Sequence, residues 1–371
     1  MTPAGVKEFV HAIRTGDLER VRSLATASPG VVNATDPGCF GATPLIHAVN
    51  TDRIAMVDLL LELGAEIDKR SDWQAGSFGV LDSAGDAMSD HLLRRGATLT
   101  PHAAARLGKV AELRGMLAAD PSIVRARGGD GQFPLHFART VEIADLLLAH
   151  GAEIDAVDID HASTAAQWLA TSRPEVAAHL VMRGAALDPF LAVRTGDLGL
   201  LEVAVAKEPR GLSVRITRER FRGPAPAAGH IYLFTMGENF TLVHTAAQAG
   251  LEGVIRWLSA RGADVNARGG YDQGTPLHFA AWDDRGPAVE ALIEAGADME
   301  VKSGHVHDNE PIGWAIVGGS KCAFDALRRA GAKVHPHHAA DAKLGAQGAF
   351  RTLKPKLPIE VWRAIAGELG C

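Results

Sequence analysis

Apolar positions along this chain recur at helical spacing in short stretches, and glycine closes most of them. Val254, Trp257 and Leu258 fall on one face of a predicted helix that Gly262 stops. Just before it, a leucine and a pair of alanines in TLVHTAAQAG predict another short helix, ended by Gly250 where a left-handed residue is useful. The pair then recurs. Thr43 and Gly64 stand 21 residues apart, and so do Thr241 and Gly262, Thr275 and Gly296, and Glu310 and Gly331. A fixed period of this kind predicts a repeat architecture in which each helix pair packs on its neighbours.

The residue types have mechanical reasons. Threonine caps the first helix, and proline suits its first turn, where an N–H has no partner to lose. Alanine lets neighbouring helices approach closely. With TPLHFAAWDDRGPAVEALIEAGA as its fullest example, the chain resembles the ankyrin-repeat family, whose pattern is T-P-L-H-x-A-A-x-x-G, a second helix, then G-A-x-x-N. FGVLDSAGDAMSDHLLRRGA and FPLHFARTVEIADLLLAHGA match with about three residues missing, and STAAQWLATSRPEVAAHLVMRGA is nearly complete. The expected fold class is therefore an all-α repeat solenoid of roughly ten degenerate units with outward β-turn fingers, spanning residues 1–350. Ile359, Trp362 and Ile365, at helical spacing in 351–371, predict a capping helix over the last unit.

A longer rhythm overlies this period. Gly16, Gly108 and Gly196 each sit in A-x-x-x-G-[DK] segments, with a weaker fourth at Gly345. Before the later three, the junctions GATLTPH, GAALDPF and GAKVHPH are compressed, so that Pro101, Pro189 and Pro336 open the next helix directly. Loss of those fingers predicts gaps in the finger row and an irregular concave face. Residues 212–240 exceed what one repeat needs. Val214 and Ile216, then Ile231 and Leu233, alternate as strands do, with RGPAPAAG as the turn. The expectation is a long β-hairpin projecting beside the concave surface, its first half made basic by Arg215, Arg218, Arg220 and Arg222.

Composition narrows the class. A formal charge of −6 over 371 residues gives no global electrostatic case for nucleic acid. No stretch approaches the roughly 20 apolar residues of a membrane span. Cys39, Cys322 and Cys371 lack C-x-x-C spacing, and Lys7, Glu8, Arg14 and Asp17 stand where a signal peptide needs an apolar run. Both features lead to the expectation of a cytoplasmic protein.

Candidate chemistry centres on the 16 histidines. His136, His244 and His278 hold the fourth position of the T-P-L-H stretch, where the family resemblance implies a ring that staples adjacent loops. His305, Val306, His307 and Asp308 occupy a finger longer than the family pattern. Alternate residues there face one way, so His305 and His307 with Asp308 form a candidate set for a divalent metal or for acid/base work. His335, His337 and His338 lie one repeat further on. Other fingers and helix ends carry Trp73, His161, Tyr271, Trp282, Asp283 and Trp314. No P-loop, nucleophile elbow or H-E-x-x-H motif is present.

Two functions follow. In the first, which the resemblance implies, the concave groove binds a protein or peptide without a cofactor. Its contacts would be Trp73, His161, Tyr271, Trp282, Trp314, His244, His278 and Arg218. In the second, the hairpin is a lid over a small-molecule pocket. There His305, His307, Asp308 and Asp283 would serve a hydrolase or lyase acting on a small polar substrate, with His305 and His307 as metal ligands.

Overall fold

The computed structural model of the chain describes residues 3–223, 229–304 and 309–371. The described elements are short helices, from the five residues of Ile231–Thr235 to the thirteen of Pro3–Thr15, joined by turns and 3-10 segments. Strand pairing among the described residues is limited to isolated bridges such as Asp36 with Ala42, Val157 with Thr164 and Gly269 with Gly274. Each of these closes the base of a β-turn finger. No helix among the described residues is long and apolar enough to cross a membrane.

Helix boundaries follow the local chemistry. The Thr43 side chain accepts the N–H of Ile46, and Pro44 fills the first turn of Pro44–Asn50. Asp188 does the same for Pro189–Thr195, accepting from Phe190 and Leu191. At the other end of that helix Gly196 turns left-handed at φ 73°, a conformation other residues adopt only at a cost. Pro101, Pro189 and Pro336 each open a helix directly at the compressed junctions.

Contacts divide the chain into two compact units. The first holds the described residues up to Leu169, with Glu175–Ala185, Gly223 and Gly229; the second holds Ala170–Pro174, Ala186–Arg222 and His230–Cys371. In the second, the helix Pro276–Trp282 packs between Leu242–Ala249 and Pro311–Gly318, while Gly286–Glu294 packs between Glu252–Ala260 and Lys321–Arg329. First helices thus form one row and second helices another. Ala246, Ala247, Ala280, Ala281 and Ala315 are wholly buried in the first row. In the first unit, Phe9, Ile13, Leu45, Met56, Leu60, Met88 and Leu92 build the core.

Backbone hydrogen bonds link the fingers. In the first unit Asp72 N–H donates to Gly41 O at 3.0 Å, and Asp130 N–H to Gly76 O at 3.3 Å. Ile159 and Asp160 N–H then donate to Asp130 O at 3.0 and 3.1 Å. The second of these links corrects an expectation. The compressed junction before Pro101 removes a finger, but the flanking fingers bond directly across it, so no gap is left there.

The long β-hairpin expected over 212–240 is also corrected. Its tip, 224–228, lies outside the described residues. Gly211–Ser213 is a 3-10 turn, Arg215 bridges Thr241, and Ile216 exchanges backbone hydrogen bonds with the 239–240 segment. The other half is not a strand: Ile231–Thr235 is a helix, capped by His230 Nδ1 accepting the Tyr232 N–H at 3.2 Å. Tyr232 decides this. Its ring is fully buried and its hydroxyl donates to Asp188 Oδ2 at 2.9 Å, a contact that alternation cannot reveal. Within the arginine cluster, Arg218 pairs with Glu238 and Arg220 with Glu208. At the C-terminal end, Ile359–Glu368 packs on Pro336–Ala346 and buries Trp362, whose Nε1–H donates to Val317 O at 3.2 Å.

Candidate functional site

An aromatic row runs through the second unit. Phe240 packs edge-on against Phe279 at 4.5 Å between centroids, Phe279 against Trp314 at 5.4 Å, and Trp314 against Trp282 at 6.1 Å. The repeat period sets this spacing, since Phe279 and Trp282 leave one first helix and Trp314 the next. Trp314 Nε1–H donates to Ser303 Oγ at 3.1 Å, which fixes the indole plane. Phe279, Trp282 and Trp314 wall a cavity of about 670 Å³, with Val317, Phe350 and Leu353 completing its apolar lining. That volume suits a large side chain or a small molecule.

The polar lining is acidic and rich in acceptors. It comprises Gln248, Asp272, Asp283, Asn309, His337 and Asp341. Gln248 Oε1 and Asp272 Oδ1 are buried acceptors with no donor among the described residues. An unsatisfied buried acceptor costs roughly 1–3 kcal/mol, so both atoms favour a ligand that brings N–H or O–H groups. Burial pushes the Asp283 carboxyl above its usual range, although Lys354, Arg285 and Arg194 pull the other way. Burial likewise lowers Lys354, against the attraction of Asp283 and Asp284. The Lys354 ammonium sits 4.8 Å above the Trp282 ring and donates to Trp282 O. One cation of the chain itself thus already uses this aromatic wall.

The expected site residues separate into groups. Trp282, Asp283 and Trp314 line the cavity together. Tyr271 is in the neighbouring finger, 76% exposed, and is not among the lining residues. Arg218 is surface-exposed in its pair with Glu238. Trp73 and His161 belong to the first unit, where Trp73 Nε1–H donates to Asp130 Oδ1 at 3.1 Å. His305, His307 and Asp308 lie outside the described residues.

His244 and His278 do not present a contact surface; both are wholly buried. His244 Nδ1 accepts the Thr241 N–H at 3.2 Å and its Nε2–H donates to Gly274 O at 3.2 Å. His278 repeats this with Thr275 N at 3.1 Å and Asn309 O at 3.0 Å, and His136 with Phe133 N at 3.2 Å and Ser163 O at 3.1 Å. Each ring staples its own helix start to the loop of the following repeat. Burial lowers their pKa to about 3 for His244 and about 4 for His278 and His136, so all three are neutral at pH 7.

The repeat assignment is independently supported. The family profile for ankyrin repeats (3 copies) matches residues 224–303, and that for a single ankyrin repeat matches 40–72 and 130–159. This chain is an ankyrin-repeat protein. Ankyrin repeat protein nuc-2 of Neurospora crassa is similar to it, at 30% identity over 40% of this chain and 12% of its own length. Palmitoyltransferase Hip14 of Drosophila melanogaster is 40% identical over 18% of this chain and 10% of its own length. The ankyrin-repeat protein therefore spans only a small part of these curated relatives. The crystal structure of the human ASB11 ankyrin repeat domain aligns with 64% of this chain and 98% of its own, at 20% identity and a TM-score of 0.40. No arrangement among the described residues of this ankyrin-repeat protein favours the hydrolase or lyase alternative.

Sequence reasoning missed Phe279, Gln248, Asp341 and Lys354. Phe279 and Gln248 stand at variable positions of the helix pattern, and Lys354 lies in a segment without any motif.

Proposed function

We propose that this protein binds a polypeptide partner and that the cavity of its second unit receives an arginine side chain from that partner. Ankyrin repeats in general are protein-interaction modules, which supports a polypeptide ligand. The observation that carries the finer reading is the pairing of aromatic walls with buried acceptors lacking donors, Gln248 Oε1 and Asp272 Oδ1, in one cavity. A guanidinium offers five N–H donors and a flat cationic face. Its donors match the acceptors, its charge matches Asp272 and Asp341, and its plane stacks on Trp314 or Phe279.

The test is affinity selection from a random peptide library on the immobilised protein, followed by calorimetry on a selected peptide and on its citrulline-substituted copy. Arginine should be enriched, and citrulline should weaken binding at least about tenfold, the loss of one charge-assisted contact. Asp272→Asn should weaken the arginine peptide similarly while leaving the citrulline peptide unchanged. Enrichment of acidic or uncharged peptides, or an arginine peptide indifferent to Asp272→Asn, would refute the assignment.

A further inference from the structure

The cavity of the second unit has room for more than one side chain, and its two ends differ in charge. Its volume of about 670 Å³ leaves space beyond a single arginine. We propose, resting on the arginine reading above, that the cavity takes two side chains of one extended partner segment. The arginine enters at the finger end, and an aliphatic residue two or four positions along the segment enters at the opposite, helix end.

Packing defines the two ends. A Cβ placed on Gly274 would stand 3.1 Å from Phe279 Cε2 and 3.4 Å from Trp314 Cη2, so both rings close against the finger that Gly269 and Gly274 bridge. Asp272 belongs to that finger. At the other end, a Cβ placed on Gly318 would stand 3.3 Å from Trp282 Cε3. Trp282 therefore lies against the last turn of Pro311–Gly318, beside Val317. Six helical rises separate Pro311 from Val317, a length of roughly 9 Å. An extended chain advances about 3.3 Å per residue and returns to the same face at every second one. Same-face residues two or four apart, at about 7 or 13 Å, bracket that length.

Charge assigns a guest to each end. Asp272 forms no ion pair among the described residues, and its Oδ1 is a buried acceptor without a donor there. Asn309 and His337, at the starts of the next two first helices, keep this end polar. Asp283 lies at the helix end, but Lys354 attracts it and offsets its charge. The Lys354 ammonium stands 4.8 Å from the Trp282 ring centroid, against the same wall. Gln248 adds an acceptor without charge. What the helix end offers in quantity is apolar surface: Val317 and Phe350 are half-buried, and Leu353 is 47% exposed. Covering that surface favours an aliphatic guest, and the Lys354 ammonium repels a second basic one.

Selection from a random peptide library on the full-length protein reads the spacing, and calorimetry on a selected peptide reads the contacts. We expect arginine accompanied by leucine, isoleucine, valine or methionine at one fixed position two or four residues away. Replacing that aliphatic residue by alanine should weaken binding about tenfold on the wild type, but about threefold or less on Leu353→Ser, where part of the contact is already gone. Replacing it by lysine should weaken binding further, and Lys354→Gln should recover about fivefold of that loss. Circular dichroism of each variant checks the fold. Arginine enriched without an aliphatic companion overturns this inference and leaves the arginine reading standing, whereas selection without arginine overturns both. An alanine penalty unchanged in Leu353→Ser, or a lysine penalty unchanged in Lys354→Gln, also overturns the assignment of the helix end.

Discussion

Acidification should loosen the repeat stack through its buried imidazoles, and the size of the effect follows from their geometry. His244 and His278 each accept a backbone N–H at Nδ1, so a second ring proton has nowhere to go without breaking the cap. Their folded pKa values are about 3 and about 4, against 6.5 for the free side chain. The folded values lie below the unfolded one, so the unfolded chain takes up protons first as pH falls. The stabilisation is complete above about pH 6.5 and is lost progressively toward pH 4. At pH 5.0 the solution is about one and a half pH units below the unfolded value, which at about 1.4 kcal/mol per unit costs roughly 2 kcal/mol per ring. Urea denaturation at pH 7.5 and pH 5.0, followed by circular dichroism, measures the loss. His278→Gln should be less stable at both values, yet lose roughly 2 kcal/mol less between them, because carboxylate titration is common to both proteins. If wild type and variant lose the same amount, the proton-exclusion account of His278 is wrong.

Three further outcomes test the packing. Gly196→Ala should cost about 1–2 kcal/mol in denaturant titration, since φ is 73° and the added Cβ meets only Leu251 Cδ2 at 3.7 Å, an ordinary contact; no loss would show that the turn relaxes freely. Trp362→Ala should cost about 3–5 kcal/mol and expose the amides of Pro336–Ala346 to hydrogen exchange, because Trp362 is 1% exposed and fills the space beside Gly319 and Gly345. Unchanged exchange in that helix would contradict the capping role. Tyr232→Phe deletes only the 2.9 Å bond to Asp188 and should cost about 1–2 kcal/mol by the same titration, with a neutral result placing the stabilisation in the ring alone.

Much of the fold was legible because the repeat residues have local duties. Threonine caps, proline opens, glycine turns left-handed and histidine staples, each within a few positions of its partner or one period away. Residues 212–240 were misread for the opposite reason. The alternation of Ile231 and Leu233 is a local signal, whereas the helix there answers to Tyr232 reaching Asp188, 44 positions earlier. The cavity was half legible. Trp282, Asp283 and Trp314 stand out as chemistry at repeat ends, and the period brings them together. Lys354 and Asp341 come from segments whose packing no motif announces. In the first unit, Trp73 meets Asp130 because their fingers bond across a compressed junction, and a reading that expected a gap there could not pair them.

The imidazole staples also give the stack a direction. His136 reaches Ser163, His244 reaches Gly274 and His278 reaches Asn309, always from an earlier repeat to a later one. Peeling repeats away from the C-terminal side therefore strips the acceptor from the last remaining ring and wets it, whereas peeling from the N-terminal side removes ring and duty together. Fraying from the two ends is thus chemically unequal: among these staples, the C-terminal route alone leaves a ring in a still-folded repeat without its acceptor.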